Sequence, residues 1–285
     1  MTLLEKRSER LRTGLFSTLA QLGSEISPKR VHRLRTTIRR IESLFAFAQP
    51  ELSRKEAKAL EDLTTLRRRA GRVRDLDVQL GLLDAIGNTS TAADRRLLDG
   101  LLRRKRDKQM ERLSTVVAEA REQRIRALFD AVVAQAAEAP LLLDESAEPF
   151  ERAKRELQEL AAEYAPQTMP KAGALHEIRI RLKKIRYLAE VSEESPDQKE
   201  FLMAIKSAQD TLGAWHDWDE LARTAEKQFG GRTNCPLLVE IRALFAAKRS
   251  AAIFAVSDLL SAGQAAVARK QPGSLSPVQT LAQRA

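Results

Sequence analysis

Two segments of the chain place histidine, arginine and lysine at the same helical spacing. They run from residue 31 to 41 and from residue 175 to 185. Their corresponding cationic residues are His32, Arg35, Arg39 and Arg40 in the first segment and His176, Arg179, Lys183 and Lys184 in the second. Residues at positions i, i+3 and i+7 stack along one helix face, so each segment predicts a cationic row. Guanidinium groups bind phosphate oxygens through a planar fork of donors, and an ammonium group adds a mobile point charge. These residue types and their spacing predict a site for a phosphate-rich anion.

The two segments also share their apolar positions, which indicates an internal duplication. Leu34 and Ile38 of the first segment correspond to Ile178 and Leu182 of the second. Self-similarity of this kind is typical of a repeated structural unit. Because charge is repeated together with the apolar stripe, the duplication favours a shared anion-binding face over two independent cores.

A second pair of blocks extends the duplication and adds further cations. Residues 71–77 match residues 213–219, and Arg74 stands where the second copy has His216. Arg67 lies on the same helix face as Arg74. The further candidate anion ligands are therefore Arg67, Arg74, Arg186 and His216. A basic helix face is often merely solvated, and either row's histidine could lie at the edge of the core. Repetition at matching positions favours a common use instead.

The histidines predict a dependence on pH. A bound phosphate would stabilise the protonated imidazole of His32 and His176, because an adjacent anion raises the pKa of a histidine. We therefore expect tighter anion binding as the pH falls through the ordinary histidine range near about 6.5. If the histidines are structural, the arginine and lysine rows alone carry the contact.

Apolar periodicity predicts helices throughout and no strand, so the fold class is all-α. The expected helices cover residues 3–23, 28–48, 51–86, 91–139, 148–164, 175–191, 196–228 and 237–260. The fourth of these is long enough to contain a break. Residues 1–139 and 140–263 then form two four-helix bundles related by an approximate two-fold axis. Such an axis would bring the matching basic helices to one surface. Residues 264–285 are small and polar, which is typical of a disordered tail.

Composition limits the partners and the compartment. The 285 residues carry a formal net charge of +10 and a pI of about 9.9. Such a charge favours association with anionic polymers, including nucleic acid and polyphosphate. Cys235 is the single cysteine, so no intramolecular disulfide can form. The sequence contains no apolar run of signal-peptide or membrane-spanning length, which predicts a cytoplasmic protein with no membrane partner.

Other patterns argue against catalysis and against a bound metal. Two Asp-x-Asp pairs occur, at Asp75–Asp77 and at Asp217–Asp219. Residues two apart on a helix diverge by about 200°, so ion pairs with nearby cations are favoured over a shared metal. Trp215 and Trp218 are expected to be buried between helices. The sequence lacks a Gly-rich phosphate loop, a nucleophile elbow and a His-Glu-x-x-His motif, which predicts a protein that is not an enzyme and needs no cofactor.

Four stretches of the sequence resemble the blocks of the CHAD family, the histidine-containing α-helical domains. They read VHRLRTTIRRIESLF, RAGRVRDLDV, LHEIRIRLKKIRYLAE and LGAWHDWDEL. They occur in order, and the resemblance covers residues from about 5 to 262. It implies two four-helix bundles with pseudo-two-fold symmetry and a basic surface that binds inorganic polyphosphate. At one position of these blocks the two copies differ in a candidate ligand, because the first has Arg74 where the second has His216.

By this resemblance the anion is polyphosphate and the candidate ligands are the two cationic rows. The predicted location is the cytoplasm, in association with polyphosphate granules. The alternative is a nucleic-acid-binding or nucleoid-associated protein that uses the same surface. An enzyme that hydrolyses or transfers polyphosphate is a third interpretation, disfavoured because acidic metal ligands and the Glu-x-Glu-x-Lys signature of a triphosphatase barrel are not found. The sequence does not predict which polyphosphate chain length is preferred or the oligomeric state of the protein.

Overall fold

The computed structural model describes residues 3–48, 50–86, 92–120, 122–138, 148–164, 172–232 and 234–270. In that part of the chain all regular structure is helical, which confirms the all-α prediction. The helices are α1 (Leu3–Ser24), α2 (Pro28–Ala48), α3 (Arg54–Ala85), α4 (Ala92–Ala118), α5 (Glu122–Glu138), α6 (Pro149–Glu163), α7 (Ala172–Ala189), α8 (Pro196–Phe229) and α9 (Pro236–Lys270). Within the described ranges, no helix is both long enough and apolar enough to cross a membrane.

Local capping signals determine where the long helices begin. Ser53 and Glu56 form a capping box at the start of α3, in which each side chain accepts from the other's backbone N–H. Ser195 caps α8 by accepting from the backbone N–H of Gln198 at 3.1 Å, and Pro196 occupies the first helical position. These caps fix the register of the two helices that carry the 71–77 and 213–219 blocks.

Two helix boundaries differ from the sequence-based expectation. The predicted fourth helix is broken after Ala118, so the described first half contains α4 and α5 as separate helices. Helix α9 continues to Lys270 and does not end near Leu260. Residues 264–270 are therefore the last residues of α9, although the sequence predicted that a disordered tail begins at residue 264. Residues 271–285 lie outside the described residues, as does the expected division of the chain at residues 139 and 140.

The apolar positions of the duplicated segments form the centres of two core clusters. In the first cluster, Leu34 and Ile38 of α2 are fully buried among residues of α1, α3 and α5. In the second, Ile178 and Leu182 of α7 are fully buried among residues of α6, α8 and α9. The apolar stripe therefore faces inward in both copies, and the adjacent cationic row is left at the boundary of the core.

A third core cluster joins the two halves of the sequence. Leu83 of α3 and Leu98 of α4 pack with Trp218 and Phe229 of α8 and with Leu237 of α9. Trp215 and Trp218 are both buried, as predicted. Helix α2 also packs against α7, and α3 against α8. The helices that carry matching basic motifs are consequently neighbours.

Candidate anion-binding site

The cationic rows of α2 and α7 lie beside the buried stripes; their histidines are exposed, and their arginines and lysine are half-buried. Arg35 and Arg39 of α2 and Arg179 and Lys183 of α7 are all intermediate in exposure. Because α2 packs against α7, the two rows meet at the contact between the helices. Their long aliphatic stems can cover apolar surface while the charged ends reach a common space.

The arginines of the two rows act on one another electrostatically. Burial, together with repulsion from Arg39 and Arg179, lowers the pKa of Arg35 to about 10, while Asp75 opposes the shift. Burial also lowers the pKa of Arg179, with Asp217 opposing. The Nε–H of Arg179 is buried and, among the described residues, has no hydrogen-bond partner. A buried donor without an acceptor is costly, so this group is poised to bind an anion.

Lys183 is the most strongly perturbed basic side chain. Burial lowers its pKa to about 6, followed by repulsion from Arg179, Arg39 and Arg35, against a weaker attraction to Asp217. A lysine with this pKa is mostly neutral at neutral pH. An anion placed between these groups would stabilise its charged form.

Helices α3 and α8 bring the second pair of blocks to the same place. Burial lowers the pKa of His216 to about 3, reinforced by Arg179, Lys183 and His176. The rings of His176 and His216 are 5.8 Å apart between centroids. Burial likewise lowers the pKa of His32, with repulsion from Arg74 as the next cause.

Two carboxylates at equivalent positions of the copies lie among the cations. The Asp75 Oδ1 atom is 3.9 Å from the Arg35 Nη2 atom. Burial raises the pKa of Asp217, Arg179 lowers it, and Asp75 raises it again. We call the combined group the central cluster, and its members are His32, Arg35, Arg39, Arg74, His176, Arg179, Lys183, His216, Asp75 and Asp217.

Four of the sequence-predicted cations have other surroundings. Arg40 and Arg186 both pair with Glu190, at 2.8 and 3.3 Å. Arg67 of α3 pairs with Glu42 of α2 at 2.7 Å. Lys184 is exposed on α7, next to Lys183 but on a different face of the helix. These contacts lie outside the central cluster, so the structure brings together the i, i+3 and i+7 positions of each row and separates the others.

Comparisons with known proteins identify the family and the fold. The family model described as the CHAD domain matches residues 11–226. This chain belongs to the CHAD family. The crystal structure of the CHAD domain from the plant Ricinus communis is similar, with a TM-score of 0.66 and 18% identity over 93% of this chain and 91% of that one. PptA from Streptomyces chartreusis is similar with a TM-score of 0.58 and 19% identity over 92% of this chain and 98% of that one. No curated protein matches the sequence.

The acidic residues that follow in the two blocks of this CHAD chain are engaged in ion pairs. Asp77 pairs with Arg106 of α4, and Asp219 pairs with Arg223 of its own helix at 2.9 Å. This agrees with the interpretation of the Asp-x-Asp pairs as ion-pairing groups. Asp219 has a second set of neighbours, because its carboxylate also lies close to His216 and Glu220. Sequence analysis missed that grouping, although the i, i+3, i+4 spacing was available to indicate it.

Proposed function

We propose that this CHAD chain binds inorganic polyphosphate on the central cluster and does so without catalysing a reaction. The observation that carries the proposal is the convergence of Arg35, Arg39, Arg179 and Lys183 from both copies into one half-buried space. Burial and repulsion from neighbouring cations oppose the charged forms of Arg35, Arg179 and Lys183 there. A bound polyanion would reverse both effects, since it supplies acceptors for the donors and offsets the repulsion.

The family membership and the packing of the helices support this anion and this surface. Contacts of α2 with α7 and of α3 with α8 join each basic helix to its counterpart. An approximate two-fold relation between two bundles, with the central cluster on the axis, accounts for these contacts and is part of the proposal. Equivalent cations would then follow a linear anion on both sides of the axis.

The half-buried position of the cations favours polyphosphate over duplex nucleic acid. Polyphosphate is narrow and flexible and carries a charge on every repeating unit, so it can enter the space where Lys183 and Arg179 lie. A rigid duplex can contact only groups that project from the surface. Nucleic acid, as the alternative ligand, would depend instead on exposed cations such as Arg40 and Lys184, and on the net charge of the chain.

The two carboxylates of the cluster have a positioning role in this proposal. Asp75 and Asp217 attract Arg35 and Arg179 respectively. They hold the guanidinium groups in the shared space while no anion is bound. Neither acts on phosphate directly, because a carboxylate and a phosphate repel each other.

A competition experiment tests the proposal. Labelled duplex DNA bound to the protein is titrated with long-chain polyphosphate, and the reverse, at matched phosphate concentration and at two stated salt concentrations. We expect polyphosphate to displace DNA with at least a tenfold lower Kd and with a negative slope of log K against log salt, because counterions are released. Equal or tighter binding of DNA would overturn the proposal in favour of nucleic acid. Release of orthophosphate from the bound chain would overturn its non-enzymatic part.

A further inference from the structure

One face of α8 carries an imidazole and two carboxylates close together. They belong to His216, Asp219 and Glu220, and their potential ligand atoms all lie within 4.8 Å of one another. Positions i, i+3 and i+4 share a helix face, so the grouping follows from the helix itself. Metal–ligand bonds of about 2.0–2.2 Å place neighbouring ligands roughly 3 Å apart. Small side-chain rotations would bring these three groups to that separation.

The duplication shows that the grouping is particular to the second copy. The equivalent residues of the first copy are Arg74, Asp77 and Val78, so only the aspartate is common to both. The two differences place histidine and glutamate one helical turn apart, on either side of the shared position. Neither residue is needed for the apolar frame, which the first copy builds without them.

The shared aspartate is also held differently in the two copies. Asp77 is buried against Arg106 of another helix, with 6% of its side chain exposed. Asp219 is 16% exposed and pairs with Arg223 of the same helix, whose side chain is 68% exposed. A pair with such an exposed arginine is weaker than one between two buried side chains and is more easily exchanged. Asp219 is therefore easier to recruit as a ligand than Asp77, whose Oδ1 atom is held by Arg106.

The surrounding charges do not exclude a cation. Arg179 and Lys183 act on His216 and oppose a positive ion. Asp217, Asp75 and Glu220 act on Arg179 in the opposite sense and partly offset its charge. A polyanion on the central cluster would shift the balance further towards binding a cation.

We propose that His216, Asp219 and Glu220 bind one divalent transition-metal ion of the zinc class at the edge of the central cluster. We further infer that the ion accepts an oxygen of the bound polyphosphate, a step that rests on the proposed function. One imidazole nitrogen and two carboxylate oxygens suit Zn²⁺ or Co²⁺, whereas Ca²⁺ prefers about six to eight oxygen ligands. Three protein ligands leave a coordination position open for an anion.

Cobalt binding to the chain without any anion tests the metal site. Both tryptophans of the protein, Trp215 and Trp218, are on α8, and the Trp215 and His216 rings are 6.4 Å apart between centroids. Bound Co²⁺ should therefore quench tryptophan emission, with saturation at one ion per chain. Glu220→Gln and His216→Gln should each weaken this binding at least tenfold, and Asp210→Asn on the same helix should not. Wild-type affinity in both variants, with helicity intact by circular dichroism, would overturn the site.

Polyphosphate is then added to the cobalt-loaded protein, at one chain per protein, and in parallel to protein in excess chelator. Binding in chelator tests the proposed function alone. We expect the quenching to persist and the visible absorption of Co²⁺ to change as an oxygen joins the ion. Recovery of tryptophan emission while polyphosphate stays bound would overturn the shared coordination and leave the proposed function intact. Cobalt binding with no polyphosphate binding under either condition would overturn the proposed function and leave the metal site standing.

Discussion

The blocks 71–78 and 213–220 have the same frame and different chemistry. Each block lies on a long helix, α3 or α8, and supplies an aspartate to the central cluster, Asp75 or Asp217. The first block offers Arg74 as a fixed cation. The second offers His216, which burial and its cationic neighbours keep neutral by lowering its pKa to about 3. The difference indicates that the first block adds a cation to the anion site, whereas the second block adds neutral and acidic side chains.

A duplicated protein can differ in this way because its core does not depend on the cationic and acidic positions. The apolar stripe is fully buried in each copy, at Leu34 and Ile38 in the first and at Ile178 and Leu182 in the second. Their packing stabilises the helices whatever lies at the boundary. The cationic and acidic residues at the edge of the core can therefore differ between the copies without changing the contact between the two rows.

The largest expected effect tests whether both copies supply one site. Arg35→Ala/Arg39→Ala removes the first row and Arg179→Ala/Lys183→Ala the second. Each double variant should weaken polyphosphate binding at least about 100-fold, since hydrogen bonds to charged groups contribute about 1.5–3 kcal/mol each. The measurement is a fluorescence titration at constant salt, with helicity checked by circular dichroism.

A matched control separates the site from general charge. Lys199→Ala/Lys206→Ala removes the same number of basic side chains from exposed positions on α8, and its effect should be under about threefold, because exposed charges are screened by salt. If this control weakens binding as much as either row, affinity arises from net charge and the central cluster is not the site. If only one row matters, the copies do not share a site.

The next expected effect concerns equivalent positions 39 and 183, where the first copy has arginine and the second lysine. The charged lysine is the form that binds an anion. Its pKa is about 6 in the free protein because of burial and of Arg179, Arg39 and Arg35, with Asp217 opposing. Protonation therefore costs about 1.4 kcal/mol for each pH unit above that value. Binding should weaken about 20- to 30-fold as the pH rises from 6.5 to 8, a trend set by this cost of protonation.

Lys183→Arg makes the second copy like the first at this position and serves as the comparison. Arginine stays charged across this range, so the dependence on pH should flatten while titration of the polyphosphate ends affects both proteins equally. Isothermal calorimetry in two buffers of different ionisation enthalpy would also show fewer protons taken up by the variant. If the change of affinity with pH is the same in the variant as in the wild type, the histidines and not Lys183 cause the pH dependence.

Helical spacing predicts which site residues share a face of one helix, but it does not predict contacts between helices. The spacing of His32, Arg35 and Arg39 indicates one face of one helix, and the structure places them together. The spacing cannot show that Arg40 lies opposite Glu190 of another helix, or that Arg67 lies opposite Glu42. Those pairs depend on tertiary packing between residues remote in sequence.

The sequence was an even poorer guide to which residues titrate near neutral pH. Histidine has an ordinary pKa near neutrality, so sequence analysis assigns any pH dependence to His32 and His176. In the structure burial lowers the pKa of His32 and brings that of Lys183 to about 6. Burial depth is a property of the assembled helices, and it changes which residue titrates. The all-α class, by contrast, follows directly from apolar periodicity and was confirmed in the described residues.

The smallest expected effect comes from copying the metal ligands into the first block. Arg74→His/Val78→Glu recreates the residue types of the second block around Asp77. We nevertheless expect Co²⁺ to saturate at one ion per chain, as in the wild type. Asp77 is held by Arg106 in a mostly buried ion pair, and removing one partner from such a pair leaves an uncompensated buried charge that costs about 3–5 kcal/mol. The weak ligation offered by the two new side chains does not offset that cost.

Adding Arg106→Gln to the same variant sharpens the comparison. Glutamine keeps a donor for Asp77 but removes the charge that commits it, so the triple variant should bind a second Co²⁺ ion. Equilibrium dialysis with metal analysis gives the stoichiometry in each case. Two ions in the double variant would show that the ion pair does not distinguish the copies, and residue type alone would then explain the difference. One ion in the triple variant would show that α3 cannot bring the three ligands together. Metal binding by the second block would then depend on the surroundings of α8 and not on residue identity alone.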